Sequence, residues 1–203
     1  HQCDRRQRQM CIRDRFRSGT YDDTTPKFAI THALNDDVNI YASYTQGFRS
    51  GSFDARARTI DSFLNSQPGP EEVTSIELGL KSTLNDGRIM FNLAVFQADY
   101  DDIQKLALEE CVVNTTTCPS GRIQRLINAA EATIEGIEIE TRINITDQFS
   151  LEGSLGYTDA SFDKFEGFDA DGVPGYDPVT DPAAAKALKF ERVPELTYNI
   201  MAN

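Results

Sequence analysis

The chain has 203 residues, 39% of them hydrophobic, no Trp and a formal net charge of −12. That charge argues against a nucleic-acid partner, since phosphate binding needs a basic surface. No run of about 18 apolar residues is present, which excludes a spanning helix but not a barrel, whose strands need apolar residues only at alternate positions.

Residues 1–17 are set apart by charge. They hold six Arg and two Asp, leaving 14 basic and 30 acidic residues in the remainder. The segment lacks the apolar stretch of a secretory signal. Its string Met10-Cys11-Ile12-Arg13-Asp14-Arg15 resembles the translation of a transposon-end sequencing adapter. Residues 1–17 are therefore expected to be non-native, and 18–203 to form the domain.

From Lys27 onward the chain reads as strands. Val38, Ile40, Ala42 and Tyr44 alternate with Asn39, Tyr41, Ser43 and Thr45. Period two means strand, because successive side chains leave opposite faces. Ile76, Leu78, Leu80 and Leu84 repeat the pattern against Glu77, Gly79, Lys81 and Thr83. Residues 88–100 are less regular: Phe91, Leu93 and Val95 share a face, but Phe96 and Tyr100 fall with Asn92 and Ala94. Ile137, Ile139, Ile143 and Ile145 alternate with Glu138, Glu140, Arg142 and Asn144. Phe149, Leu151, Leu155 and Tyr157 follow, and Leu196, Tyr198, Ile200 and Ala202 close the series. These give seven clear strands; an eighth is expected around residues 17–25.

Alternation alone does not separate a soluble sandwich, whose polar face meets bulk water, from a barrel with a wet lumen. The connections do. Asn35-Asp36-Asp37, Asn85-Asp86-Gly87 and Thr146-Asp147-Gln148 are hairpin turns. Between them run long connections at about 49–72, 109–122 and 163–192. All short turns thus fall at one end of the strands and all long loops at the other. Outer-membrane barrels show this asymmetry, with short periplasmic turns and long extracellular loops. A compact soluble domain rarely carries several such loops. The fold expected is an antiparallel transmembrane β-barrel, or part of one.

Four stretches then resemble the C-terminal part of the barrel of TonB-dependent receptors. They are residues 41–51, ending Gly47-Phe48-Arg49-Ser50-Gly51; residues 70–81, with Pro70-Glu71 and Glu77-Leu78-Gly79-Leu80-Lys81; residues 96–104, ending Asp102-Ile103-Gln104; and residues 128–140, with Asn128-Ala129 and Gly136-Ile137-Glu138-Ile139-Glu140. Each motif is weak alone; their order is the specific feature. The resemblance implies active uptake of a scarce nutrient across a Gram-negative outer membrane, an iron–siderophore complex first, with haem, cobalamin and carbohydrates as other family cargoes. It also implies outer-membrane lipid around the wall, an N-terminal plug inside a barrel of roughly 22 strands, and a TonB-complex partner. The chain carries no plug or TonB-contacting motif and no terminal aromatic, so by itself it is expected neither to close nor to transport. A passive porin or structural barrel is the alternative, and a soluble acidic β-sandwich that binds through its loops is the third.

Candidate sites are few. Cys111 and Cys118 sit in Cys-Val-Val-Asn-Thr-Thr-Thr-Cys with no His nearby, so a disulfide-closed loop is expected rather than zinc. Phe48 and Arg49 stand where a strand reaches the outer rim; they offer a ligand contact, or an interfacial aromatic beside a cation facing lipid phosphate. Asp169-Ala170-Asp171-Gly172 begins like a calcium loop, but Pro174 and Thr180 occupy the positions that an EF-hand gives to Gly and Glu. The surrounding acids, Asp159 and Asp163 among them, read as a solvated outer loop. Asn114-Thr115-Thr116 matches a glycosylation acceptor that has no meaning in a bacterial outer membrane. His32 lies on a strand, without a nucleophile. Neither catalysis nor a metal or cofactor site is expected.

Overall fold

The computed structural model describes residues 19–54, 66–110, 113, 121–165, 185 and 187–203. Seven strands succeed one another: β1 (Lys27–Ala33), β2 (Val38–Arg49), β3 (Glu71–Leu84), β4 (Ile89–Glu110), β5 (Arg122–Thr146), β6 (Phe149–Phe165) and β7 (Leu196–Ala202). They form one sheet in the order β1-β2-β3-β4-β5-β6-β7, each antiparallel to its neighbours, with β1 and β7 at the edges. A soluble sandwich would need a second sheet packed on the first; all seven strands lie in this one. Among the described residues of the expected eighth strand, none is in a ladder. The described residues 19–26 make no strand, and Tyr21 instead packs against Gly51.

The three short turns close the hairpins at one end. Asn85 and Asp86 adopt positive φ angles of 54° and 52° before Gly87 at 84°, a left-handed geometry that Asn, Asp and Gly tolerate. Asn35 Oδ1 accepts the Asp37 N–H and Thr146 Oγ1 accepts the Gln148 N–H. Arg88 Nη2 reaches Asp147 Oδ1 at 3.3 Å, tying two of the turns together.

Cross-strand register sorts the side chains into two faces. One carries Ile40, Leu80, Leu93, Ile139 and Leu155 in a row, with Leu78, Val95, Ile137 and Tyr157 in the next. Most of these apolar side chains are exposed, Leu78 by 57%, while Leu80, Leu93 and Ile139 are half-buried; on the edge strand β7, Ile200 is 79% exposed on the same face. From Ile76 to Leu84 the apolar run measures about 26 Å at ~3.3 Å per residue. Tilted by about 40° it gives a height near 20 Å, close to the ~25 Å apolar band of outer-membrane barrels. The opposite face carries Tyr41, Glu77, Asn92, Glu138, Glu140, Arg142 and Glu152, placed by the same register. It is the lumen side.

Two glycines make room on that side. A Cβ on Gly79 would stand 2.3 Å from the Tyr41 ring, and one on Gly136 would stand 2.7 Å from Phe96. The rings lie flat over the strands there. This accounts for Phe96, which broke the period in the sequence: it faces the lumen because Gly136 leaves it a place.

β4 and β5 have 22 and 25 residues, about twice the 9–11 that cross a bilayer. Their far ends rise past the apolar band on the side of the long connections. A bulge interrupts β4 there, with shifts between Tyr100 and Ile103 and between Ile103 and Gln104. Asp102, at φ 54°, makes the kink.

Candidate functional site

Above the band the two faces exchange character. Outward positions change from Val95, Ile137 and Tyr157 to Gln97, Glu135 and Asp159, and then to Asp99, Thr133 and Ser161, with Asp163 beside them at a register irregularity. Thr133 Oγ1 lies 2.7 Å from Asp163 Oδ2 and 3.2 Å from Asp99 Oδ1. Inward positions change from Glu140 and Glu138 to Ile134 and Ala132, and from Ser154 and Thr158 to Ala160 and Phe162. Polar groups now meet water outside, and apolar groups gather inside.

The inward gathering is a packed cluster. Ile103, Ala130, Ala132, Phe162, Phe165 and Ala185 form its buried part, with Tyr100, Leu188 and Phe190 against it. Phe162, 4% exposed, stacks on Phe190 at 4.1 Å and 10°, and meets Phe165 edge-on at 5.3 Å. Lys105 holds its ammonium 5.5 Å from the Phe162 ring and 5.9 Å from that of Phe190. Such cation–π contacts contribute about 0.5–1 kcal/mol each at exposed sites. Phe162 and Phe165 serve packing. Half-buried Tyr100, Phe190 and the Lys105 ammonium are the parts that a solute at the mouth can touch. Together they suit a ligand with flat or apolar groups and negative charge.

Below lies a polar wall. The Tyr41 hydroxyl donates to Glu77 Oε1 at 2.6 Å, and Lys81 lies over the Tyr41 ring at 5.4 Å. Arg142 pairs with Glu152 at 2.6 Å. Glu77, Glu138, Glu140 and Glu152 thus share this wall with Lys81 and Arg142, an acidic balance.

The structure separates Phe48 from Arg49. Phe48 pairs with Glu72 on the outward register, and Arg49 turns inward, 3.8 Å from Glu71 Oε2. They do not form one contact surface. Cys111 and Cys118 lie outside the described residues, as do Asn114 and residues 169–172. His32, on β1, pairs with Ile40 and is exposed on the outward face. Sequence reasoning missed the cluster around Phe162 and Phe190. Its only signal was Tyr100 and Phe162 breaking the alternation of their strands.

Comparison with known proteins now fixes the class. The model of the TonB dependent receptor-like β-barrel matches residues 7–203, and the chain belongs to that family. It is a family of Gram-negative outer-membrane receptors, transporters rather than enzymes. The metal-pseudopaline receptor CntO of Pseudomonas aeruginosa is 26% identical over 156 residues, covering 76% of this chain and 19% of that protein. The siderophore receptor PiuA of Acinetobacter baumannii superposes with a TM-score of 0.61 at 19% identity, over 87% of this chain and 23% of the other. The ferric yersiniabactin uptake receptor FyuA of Yersinia pestis gives 0.57 at 16%, over 87% and 22%. The chain spans about a fifth of these relatives' length.

Proposed function

We propose that the chain forms part of the wall and outer mouth of a transporter that takes up a metal chelate, an iron–siderophore complex first among them, in concert with a TonB-complex partner. The observation that carries this reading is the aromatic and cationic mouth formed by Tyr100, Phe190 and Lys105 above an acidic lumen wall. Chelators of metal ions combine negative donor atoms with flat or apolar frames, which such a mouth accommodates. The relative named as a metal-pseudopaline receptor supports a chelate cargo without choosing the metal.

The test is uptake. Cells lacking the receptor gene, complemented with the intact gene, are given radiolabelled iron as catecholate, hydroxamate and carboxylate chelates. Uptake of one chelate class that stops when TonB is removed is the expected result. Passage of unrelated small solutes at the same rate with and without TonB would instead establish the porin alternative. TonB-dependent uptake of cobalamin or a carbohydrate, with no chelate transported, would leave the transporter and overturn its cargo.

A further inference from the structure

The four stretches that carry the family resemblance lie far apart in the chain, yet one residue from each meets at a single node. Arg49 Nη1 is 3.8 Å from Glu71 Oε2. The same carboxylate oxygen accepts the Gln104 backbone N–H at 2.9 Å. The Gln104 side chain donates to Ser50 O at 2.9 Å and Gly69 O at 3.1 Å, and its Oε1 accepts from Ser52 Oγ at 2.9 Å. Asn128 Nδ2 donates to Asp102 O, Gly69 O and Pro70 O at 2.6, 3.2 and 3.3 Å, while its Oδ1 accepts the Gly69 N–H at 2.7 Å. Ser66 Oγ accepts the Leu126 N–H at 3.2 Å. Gln104 is 7% exposed and Ser66 0%.

The node answers a problem in the sheet. Pairing of β3 with β4 ends at Glu72 and Asp101, yet β4 continues to Glu110. Among the described residues, the upper part of β4 therefore has no strand on its β3 side. Residues 66–70 contact β5 through Ser66 and Gly69 and then enter β3, so they cross β4 on the way. Pro68 and Pro70 remove two backbone donors from this crossing, so it cannot serve as a strand. A primary amide carries donors and an acceptor on one rigid plane, which lets Asn128 hold both the N–H and the carbonyl of Gly69.

We propose that Gln104 and Asn128 are positioning residues that clamp both feet of the β2–β3 connection, residues 50–54 and 66–70, onto β4 and β5. The feet and the upper wall then behave as one body. Because Ile103, beside Gln104, belongs to the aromatic cluster, the clamp also holds the shape of the mouth; this second part rests on the chelate-uptake reading.

The experiment is hydrogen exchange on the intact receptor in outer-membrane vesicles, with Asn128→Leu, Gln104→Leu and the milder Asn128→Asp. Asn128→Leu is expected to speed exchange at Gly69 about tenfold, what one lost hydrogen bond produces, and exchange within Leu80 and Leu93 stays as in the parent. Gln104→Leu loosens the same feet from the other side. Asn128→Asp keeps the acceptor for the Gly69 N–H but loses both amide donors, which the carbonyls of Asp102, Gly69 and Pro70 share, so Gly69 stays slow while Gln104 and Leu126 exchange faster. Unchanged exchange at Gly69 in Asn128→Leu overturns the clamp, and so does acceleration spread evenly through the band. For the mouth, binding of ferric catecholate and ferric hydroxamate probes is measured on the same preparations. About tenfold weaker binding of the probe that the parent takes supports the link, and equal affinity overturns it. A parent that binds neither probe counts against the uptake reading, while the exchange result still decides the clamp.

Discussion

The same strands pass through two regions with opposite polarity. On β6, Leu151, Leu155 and Tyr157 face outward within the band and Glu152, Ser154 and Thr158 face the lumen; further up, Asp159 and Ser161 face outward and Ala160 and Phe162 inward. β4 does the same, from Leu93 and Val95 to Gln97 and Asp99 outside. Backbone geometry is common to both regions, so the solvent sets the difference. Lipid on the outside demands apolar groups there and leaves the wet lumen polar. Above the lipid, water lies outside, and the only place to bury apolar surface is the inside of the mouth. The level at which the faces exchange, between Val95 and Gln97 on β4, is where the outward apolar band ends, and the lipid is expected to end there too.

This contrast can be broken first at the mouth. Phe162→Ala removes a ring packed between Phe190 and Phe165 and is expected to cost about 3–5 kcal/mol, as Phe truncations do in packed cores. The loss is read as a lower urea midpoint for the intact receptor folded in lipid vesicles. Next comes a charge moved across the boundary. Leu93→Arg places a cation at mid-band and is expected to cost about 2–4 kcal/mol, while Gln97→Arg, further along the same face beyond Val95, costs about 0–1. Equal penalties would show that the outer edge lies elsewhere. A smaller effect is expected from Tyr41→Phe, which removes the hydroxyl donated to Glu77 on the wet lumen wall. About 1 kcal/mol is expected, with no change in the urea midpoint counting against this bond as a stabilising contact.

How far the sequence could be read follows the same boundary. Within the band, period two identified Leu78, Ile139 and their rows, and Asn85-Asp86-Gly87 identified its hairpin. Both signals are local and the lipid keeps the alternation strict. Above the band the period carries no such constraint. The bulge at Asp102 shifts the register, so Gln104 and Asn128 stood out as motif letters without a visible partner. Their partners, Ser50, Ser52, Gly69 and Pro70, come from a connection more than 30 residues away in sequence. The eighth strand is absent among the described residues for a related reason. Residues 17–25 have turn formers, Asp22, Asp23 and Thr24, and Tyr21 finds its packing on Gly51 rather than in a ladder.

The smallest effect lies at the water-exposed end, where Lys189 meets Glu195 Oε1 at 2.8 Å beside the start of β7. The hydrogen bond with Glu195 raises the Lys189 pKa, and its counterpart lowers that of Glu195. A raised Lys value means that its contribution is present below the ordinary lysine pKa and lost as pH rises through the raised one. A lowered Glu value means that its contribution is present above the ordinary carboxylate pKa and lost as pH falls through the lowered one. Between about pH 5 and 9 the pair is therefore constant. Both side chains are largely in water, so little stability is at stake, and the sensitive measurement is the titration itself. Carbon NMR of the Glu195 carboxyl is expected to show a midpoint below about 4.3, the ordinary Glu value. Lys189→Met should return it to that value. A midpoint that stays low in Lys189→Met would assign the depression to another group and remove this ion pair as its cause.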